Sequence, residues 1–151
     1  MEVFRISHTK HSRKLTSSGS ANRWNRKNEF VIYTGSSRSL STLELVVHRN
    51  SISPFPNYEV MIISIADEEE LVEQVSIKNL PKDWRKFQMY PRLQEIGSEW
   101  YKSKRSLLLK VPSAVITKEF NYIINTQHPL FIEKVKLVRN EDYFFDGRLF
   151  S

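Results

Sequence analysis

Arg23, Tyr33 and Glu44 offer, within one short stretch, a permanent cation, an aromatic ring with a hydroxyl, and a carboxylate. Three such groups can work on one ligand. Arg23 closes a loop rich in positive charge. Between Val3 and Asn28 stand Arg5, Lys10, Arg13, Lys14, Arg23, Arg26 and Lys27, with no Asp or Glu among them. A basic segment beside a site suits an anionic ligand such as a dinucleotide diphosphate, and equally a nucleic-acid backbone or an acidic partner protein. For Lys10, Arg13, Lys14 and Lys27 a solvated loop is the simpler expectation.

The elements that must position these groups follow from patterning. Glu29–Thr34 is a strand-like run and carries Tyr33. Ser39–His48 reads as a helix, with Leu40, Leu43, Glu44 and Val47 on one face. Apolar Leu43, Leu45 and Val46 predict that the whole helix is well buried. Glu44 then occupies a core-facing slot, where a carboxylate is costly unless it is hydrogen-bonded or used. It is equally readable as a surface residue or as the structural partner of an arginine.

The remaining chain predicts strands at Val3–Ser7, Tyr58–Ala66, Val72–Ile77, Ser106–Val111, Ala114–Ile116, Val135–Val138 and Tyr143–Phe145. Pro91–Lys102 reads as a helix with Pro91 in its first turn and Leu93, Ile96 and Trp100 on one face. His8–Asn22 reads as a long polar loop, Ser51–Asn57 as a proline-containing connector and Lys118–His128 as an asparagine-rich ordered loop, with Asn121 and Asn125 satisfying backbone groups. Trp24, Trp84 and Trp100 are all expected in the core; Trp24, beside Arg23, is the one considered for shaping the site. Asp146 and Arg148 are expected to pair. Many strands with few helices in no regular alternation imply an α+β domain, residues 1–151, with a mixed or antiparallel sheet.

Ordered blocks along the chain resemble the RES domain, named for Arg, Glu and Ser. They are Phe4-Arg5-Ile6, Arg23-Trp24-Asn25, Val31-Ile32-Tyr33-Thr34, Leu43-Glu44, Leu80–Trp84, Ile96–Trp100, Val111–Val115, Asn121–Asn125, His128-Pro129 and Phe145–Leu149. One departure is Asn22, where the family usually has Gly before Arg-Trp; Asn tolerates left-handed backbone better than most residues. The resemblance implies the toxin half of a RES–Xre toxin–antitoxin pair, with a fold akin to ADP-ribosyltransferases of the diphtheria-toxin type. It also implies NAD+ as substrate, with no bound cofactor, and cleavage of the nicotinamide–ribose bond. Glu44 would stabilise an oxocarbenium-like transition state. Tyr33 would stack on nicotinamide or position the ribose, and Arg23 would bind the diphosphate or a ribose hydroxyl and keep Glu44 ionised. Ser113, following Pro112 at a strand break, would turn its hydroxyl toward the cleft as a fourth, substrate-binding residue.

The acceptor of ADP-ribose stays open among water, phosphate and a protein side chain, so glycohydrolase, phosphorylase and protein ADP-ribosyltransferase are all consistent. A non-catalytic nucleic-acid-binding module is a further alternative. The expected partners are an Xre-type helix-turn-helix antitoxin, with DNA reached only through it, and a second copy of the chain as an open possibility.

Composition sets outer bounds. With 151 residues, 40% apolar and 26% charged, the chain suffices for one core. It has no cysteine, which excludes disulfides, thiolate nucleophiles and zinc–thiolate sites. No G-x-G-x-x-G, Walker A or H-E-x-x-H motif is present. The histidines at 8, 11, 48 and 128 lack ligand spacing, so no metal is expected. No apolar run approaches the ~18 residues of a membrane span, and no signal peptide is evident; a cytoplasmic location is the expectation.

Overall fold

A computed structural model describes residues 1–48, 57–144 and 146–150. The expected connector at 51–56 and the strand end at Phe145 lie outside the described residues. One mixed seven-stranded sheet has the order β4-β5-β6-β2-β1-β3-β7. The strands are β1 Glu2–His8, β2 Val31–Gly35, β3 Tyr58–Ile65, β4 Val72–Gln74, β5 Leu108–Pro112, β6 Phe120–Asn125 and β7 Val135–Tyr143. Only β4 and β5 run parallel; every other pair is antiparallel. The helices are α1 Arg38–Val47, α2 Tyr90–Ser103 and the single turn α3 Phe131–Lys134. None of the described helices is long and apolar enough to cross a membrane.

Alternation along the strands divides the core. Val3, Ile32, Met61, Ile63, Leu108 and Ile124 pack on one face of the sheet. Val31, Leu109, Val111 and Ile123 point the other way, against Trp24, Trp84, Leu93 and Trp100. The three tryptophans are thus core residues, and Trp24 also lines a cleft. A smaller group, Phe4, Val60 and Ile62, lies beneath the α1 end of the sheet.

Four expectations need correction. The asparagine-rich run is strand β6, because Tyr122 and Ile124 serve one core while Ile123 serves the other. Ala114–Ile116 does not resume a strand; it bends, with the Val115 and Ile116 N–H groups donating to the Ser113 hydroxyl. The two last strands are one, since β7 follows β3 across its whole length, past a bulge at Ile62/Ile63. The expected strand at 72–77 is shorter, ending at Gln74 before a helical turn at Ile77–Asn79.

Two features of the fold create space for a site. Strands β1 and β2 pair at one position only, Phe4 opposite Gly35. Helix α1, capped by the Ser37 hydroxyl, crosses them so closely that the Ser41 hydroxyl donates to the Phe4 carbonyl at 2.9 Å. On the other side, α2 presses Gly97 against the Trp24 backbone; a Cβ there would lie 1.7 Å from the Trp24 carbonyl oxygen. Only glycine fits this contact, and it fixes where the residues around Arg23 sit. Gly97→Ala is therefore expected to lower stability by about 1–3 kcal/mol, the usual range for overpacking. That corresponds to a Tm drop of roughly 2–4 °C per kcal/mol. A thermal melt checks it, and a wild-type Tm would contradict the contact.

Candidate active site

A cleft of about 320 Å³ opens where β1 and β2 part. Its wall includes Arg5 from β1, Tyr33 and Gly35 from β2, Asn22–Trp24 from the preceding loop, and Asn121 from β6. From α1 come Ser41, Glu44, Leu45 and His48, spaced i, i+3, i+4, i+7. The inward stripe of α1 is therefore offset from the one expected: Val47 is exposed, and only Leu40 and Ser41 are buried. The helix is not buried throughout, because the cleft replaces protein along that stripe.

Glu44 is half-buried and clamped. The Ser113 hydroxyl donates to its Oε1 at 3.0 Å and the Asn121 side-chain amide donates to the same oxygen at 2.9 Å. Oε2 has no protein partner among the described residues, and no described cation forms a salt bridge with Glu44. The structural arginine partner considered from sequence is thus not what holds it.

Ser113 is buried, at 1% exposure. Its oxygen accepts two backbone N–H bonds while its proton goes to Glu44. This hydroxyl is fully committed and sits behind the carboxylate, not in the cleft wall. In the structure this hydroxyl positions the Glu44 carboxylate, because the 113–116 bend turns it toward Glu44.

Asn121 was not legible as a site residue. It supports no backbone group; it orients Glu44, whose acceptor-only oxygen fixes which way the amide faces. Its own carbonyl oxygen is buried without a partner among the described residues. Asn125 does satisfy backbone groups, at Tyr101 and Gln127.

The Arg23 loop is built from neighbouring polar side chains. Asn25, buried, donates to the carbonyls of Ser20, Arg26 and Glu29. Buried Glu29 accepts from the Arg26 N–H and from the Ser98 hydroxyl on α2. The Tyr33 hydroxyl accepts from the Trp24 N–H at 2.9 Å and donates to Asn25 Oδ1 at 2.6 Å. Tyr33 therefore uses its hydroxyl to hold the loop, leaving its ring to face the cleft. Asn22 does not adopt left-handed backbone; Asn28, Lys104 and Lys118 do. The Asn22 side chain instead caps the Arg23 N–H at 2.8 Å.

Two guanidinium groups reach the cleft. Arg23 donates to the Arg85 carbonyl at 3.0 Å and lies over the Tyr90 ring, 4.8 Å from its centroid. Arg5 donates to the Tyr33 carbonyl at 3.1 Å, filling a bond that the parted strands leave open. Burial lowers the Arg5 pKa from its ordinary value, and among the described residues no carboxylate pairs with it. A half-buried guanidinium facing a cleft without a counter-ion is a ready anion site. In sequence Arg5 stands among seven basic residues and within the Phe4-Arg5-Ile6 block, but neither attaches a role to it. Of the others, Arg13 pairs with Glu59 and Arg26 bonds Ser98. Asp146 and Arg148 pair as expected.

A family model described as RES domain matches residues 2–146. "Toxin Res" of Yersinia enterocolitica is 35% identical over 127 residues, covering 84% of this chain and 82% of that protein. "Toxin Res" of Photorhabdus laumondii is 29% identical over 153 residues, covering 99% and 97%. The "Prs ADP-ribosylating toxin" of a Sphingobium species is 34% identical over 128 residues, covering 84% and 79%. Among solved structures, the M. tuberculosis MbcT–MbcA toxin–antitoxin complex shares the fold at a TM-score of 0.73 and 17% identity, over 94% of this chain and 83% of that one.

Burial pushes the Tyr33 phenol well above its ordinary value of 10.0. Below that pH, folded and unfolded chains both keep the proton. Above it the unfolded chain loses the proton and the folded chain keeps it, so rising pH favours unfolding. The stability advantage of wild type over Tyr33→Phe should therefore shrink by about 1.4 kcal/mol per pH unit above the ordinary value. Denaturant titrations at neutral and strongly alkaline pH check this; a pH-independent difference would mean that the phenol ionises freely.

Proposed function

Because the chain belongs to the RES-domain family, we propose that it is a toxin that consumes NAD+ by breaking the nicotinamide–ribose bond. The observation that carries the reading is the Glu44 carboxylate, held by Ser113 and Asn121 with one oxygen left open to a cleft that two arginines share.

The chemistry follows from the bond. The C1′–N bond breaks and its electron pair leaves with nicotinamide, which departs neutral and needs no acid. Positive charge gathers on C1′ and the ring oxygen, where an anchored carboxylate stabilises it without reorganising. Glu44 Oε2 is free to face that charge or to accept from a ribose hydroxyl. The Tyr33 ring offers a stacking face. Arg5 and Arg23 suit the diphosphate. The acceptor oxygen then bonds to C1′ and releases its proton.

Water or phosphate as acceptor gives NAD+ degradation, the first reading. A protein side chain as acceptor gives ADP-ribosyl transfer, a second reading favoured by the name of the Sphingobium relative. Two observations weigh against a nucleic-acid module: Arg13 and Arg26 are tied to protein groups, while Arg5 and Arg23 line the cleft.

Glu44→Gln keeps an Oε1 for both Ser113 and Asn121 but removes the charge. NAD+ turnover should fall about 100- to 1,000-fold, the usual effect of losing one electrostatic stabiliser, with Tm close to wild type. Chromatography of the products, with and without phosphate or a protein acceptor, identifies the reaction. Wild-type turnover by a folded Glu44→Gln protein would overturn the assignment.

The proposed partner is an Xre-type antitoxin, in keeping with the toxin–antitoxin complex that shares the fold. An antitoxin carboxylate placed at Arg23 would hold the anion site that NAD+ needs. Inhibition should then weaken as NAD+ rises, and Arg23→Ala should loosen the complex. Equal inhibition at all NAD+ concentrations with normal binding by Arg23→Ala would mean that the antitoxin acts elsewhere.

A further inference from the structure

We infer that Tyr90 and Phe87 form a stacking shelf at the mouth of the cleft that takes the adenine end of the dinucleotide, an inference that rests on the NAD+ reading. The cleft, at about 320 Å³, lies at the low end of the ~300–1,000 Å³ range of ligand pockets. On the NAD+ reading it takes the nicotinamide nucleotide half. With the nicotinamide ribose at Glu44, the adenosine half lies beyond the arginines.

The structure continues in that direction through Arg23. This side chain lines the cleft, yet its guanidinium lies over Tyr90, 4.8 Å from the ring centroid, and bonds the Arg85 carbonyl. The Phe87 ring is 4.8 Å from that of Tyr90. Phe87 is 77% exposed and belongs to none of the core clusters. A phenylalanine left uncovered on a short turn, touching an aromatic ring that already carries the site arginine, gives a π-face to a planar base. The flanking Lys82, Arg85 and Lys86 against the single Asp83 favour a ligand whose base is joined to phosphates. The order nicotinamide ribose, diphosphate, adenine then maps onto Glu44, the two arginines, and Tyr90 with Phe87.

The test compares NAD+ with nicotinamide mononucleotide, which has the same reacting bond and no adenine. Steady-state kinetics should show wild type preferring NAD+, and Phe87→Ala should reduce that preference about ten-fold, through KM and not kcat. Phe87→Trp should restore it. Phe87 is exposed, so folding survives the change. A preference left intact in Phe87→Ala overturns the shelf, as does a wild-type enzyme that handles both substrates equally, because nothing outside the cleft then adds to binding. A KM rise that Phe87→Trp fails to restore also overturns it, since stacking is then not the cause. A wild-type protein that leaves NAD+ intact overturns the functional reading itself, which separates the two failures.

Discussion

A carboxylate set into the wall of a cleft has to be held there, and the Ser113 hydroxyl and the Asn121 amide hold Glu44. Much of the architecture serves that clamp. Ser113 is aimed by the bend after β5, whose two N–H groups occupy its lone pairs and leave its proton for Glu44. Asn121 comes from β6, the neighbour of β5. Glu44 itself comes from α1, fixed over β1 and β2 by Ser41. Three elements thus meet at one oxygen. The other oxygen, without a described protein partner, is the one available for chemistry.

The second constraint is the parting of β1 and β2. A continuous ladder would close the sheet and pair the Tyr33 carbonyl with a strand N–H. Here the Arg5 guanidinium takes that place, so the gap is satisfied by a cation and not by backbone. The gap becomes an anion site for the same reason that it exists. On its far side, the Tyr33 hydroxyl, Asn25 and the Gly97 contact with α2 fix the loop that presents Arg23. Structure and cleft are coupled: the groups that satisfy the broken sheet are the groups that line the cleft.

The sequence made Arg23, Tyr33, Glu44 and Ser113 visible through ordered blocks, and the α+β class through irregular alternation of strands and helices. Arg5 and Asn121 also fall in such blocks, Phe4-Arg5-Ile6 and Asn121–Asn125, but no role attached to them. Arg5 looked like one more charge in a basic segment, and only the single-position pairing of its strand distinguishes it. Asn121 looked like loop chemistry because asparagine is depleted in strands. Its place in β6 rests on Ile123 and Ile124 serving opposite cores, and its role on a carboxylate 77 positions away in sequence. The Glu44 helix was read as fully buried because apolar residues surround Glu44. A cleft along one stripe cannot be told from a core by periodicity alone.

In the proposed reaction Glu44 meets the ribose whose bond to nicotinamide breaks. A crystal structure of Glu44→Gln with intact NAD+ tests it most directly. The nicotinamide ribose is expected beside residue 44, with its hydroxyls within hydrogen-bonding distance of the Gln side chain and the diphosphate on Arg5 and Arg23. Adenine at that end of the cleft, or NAD+ bound elsewhere on the protein, would contradict it.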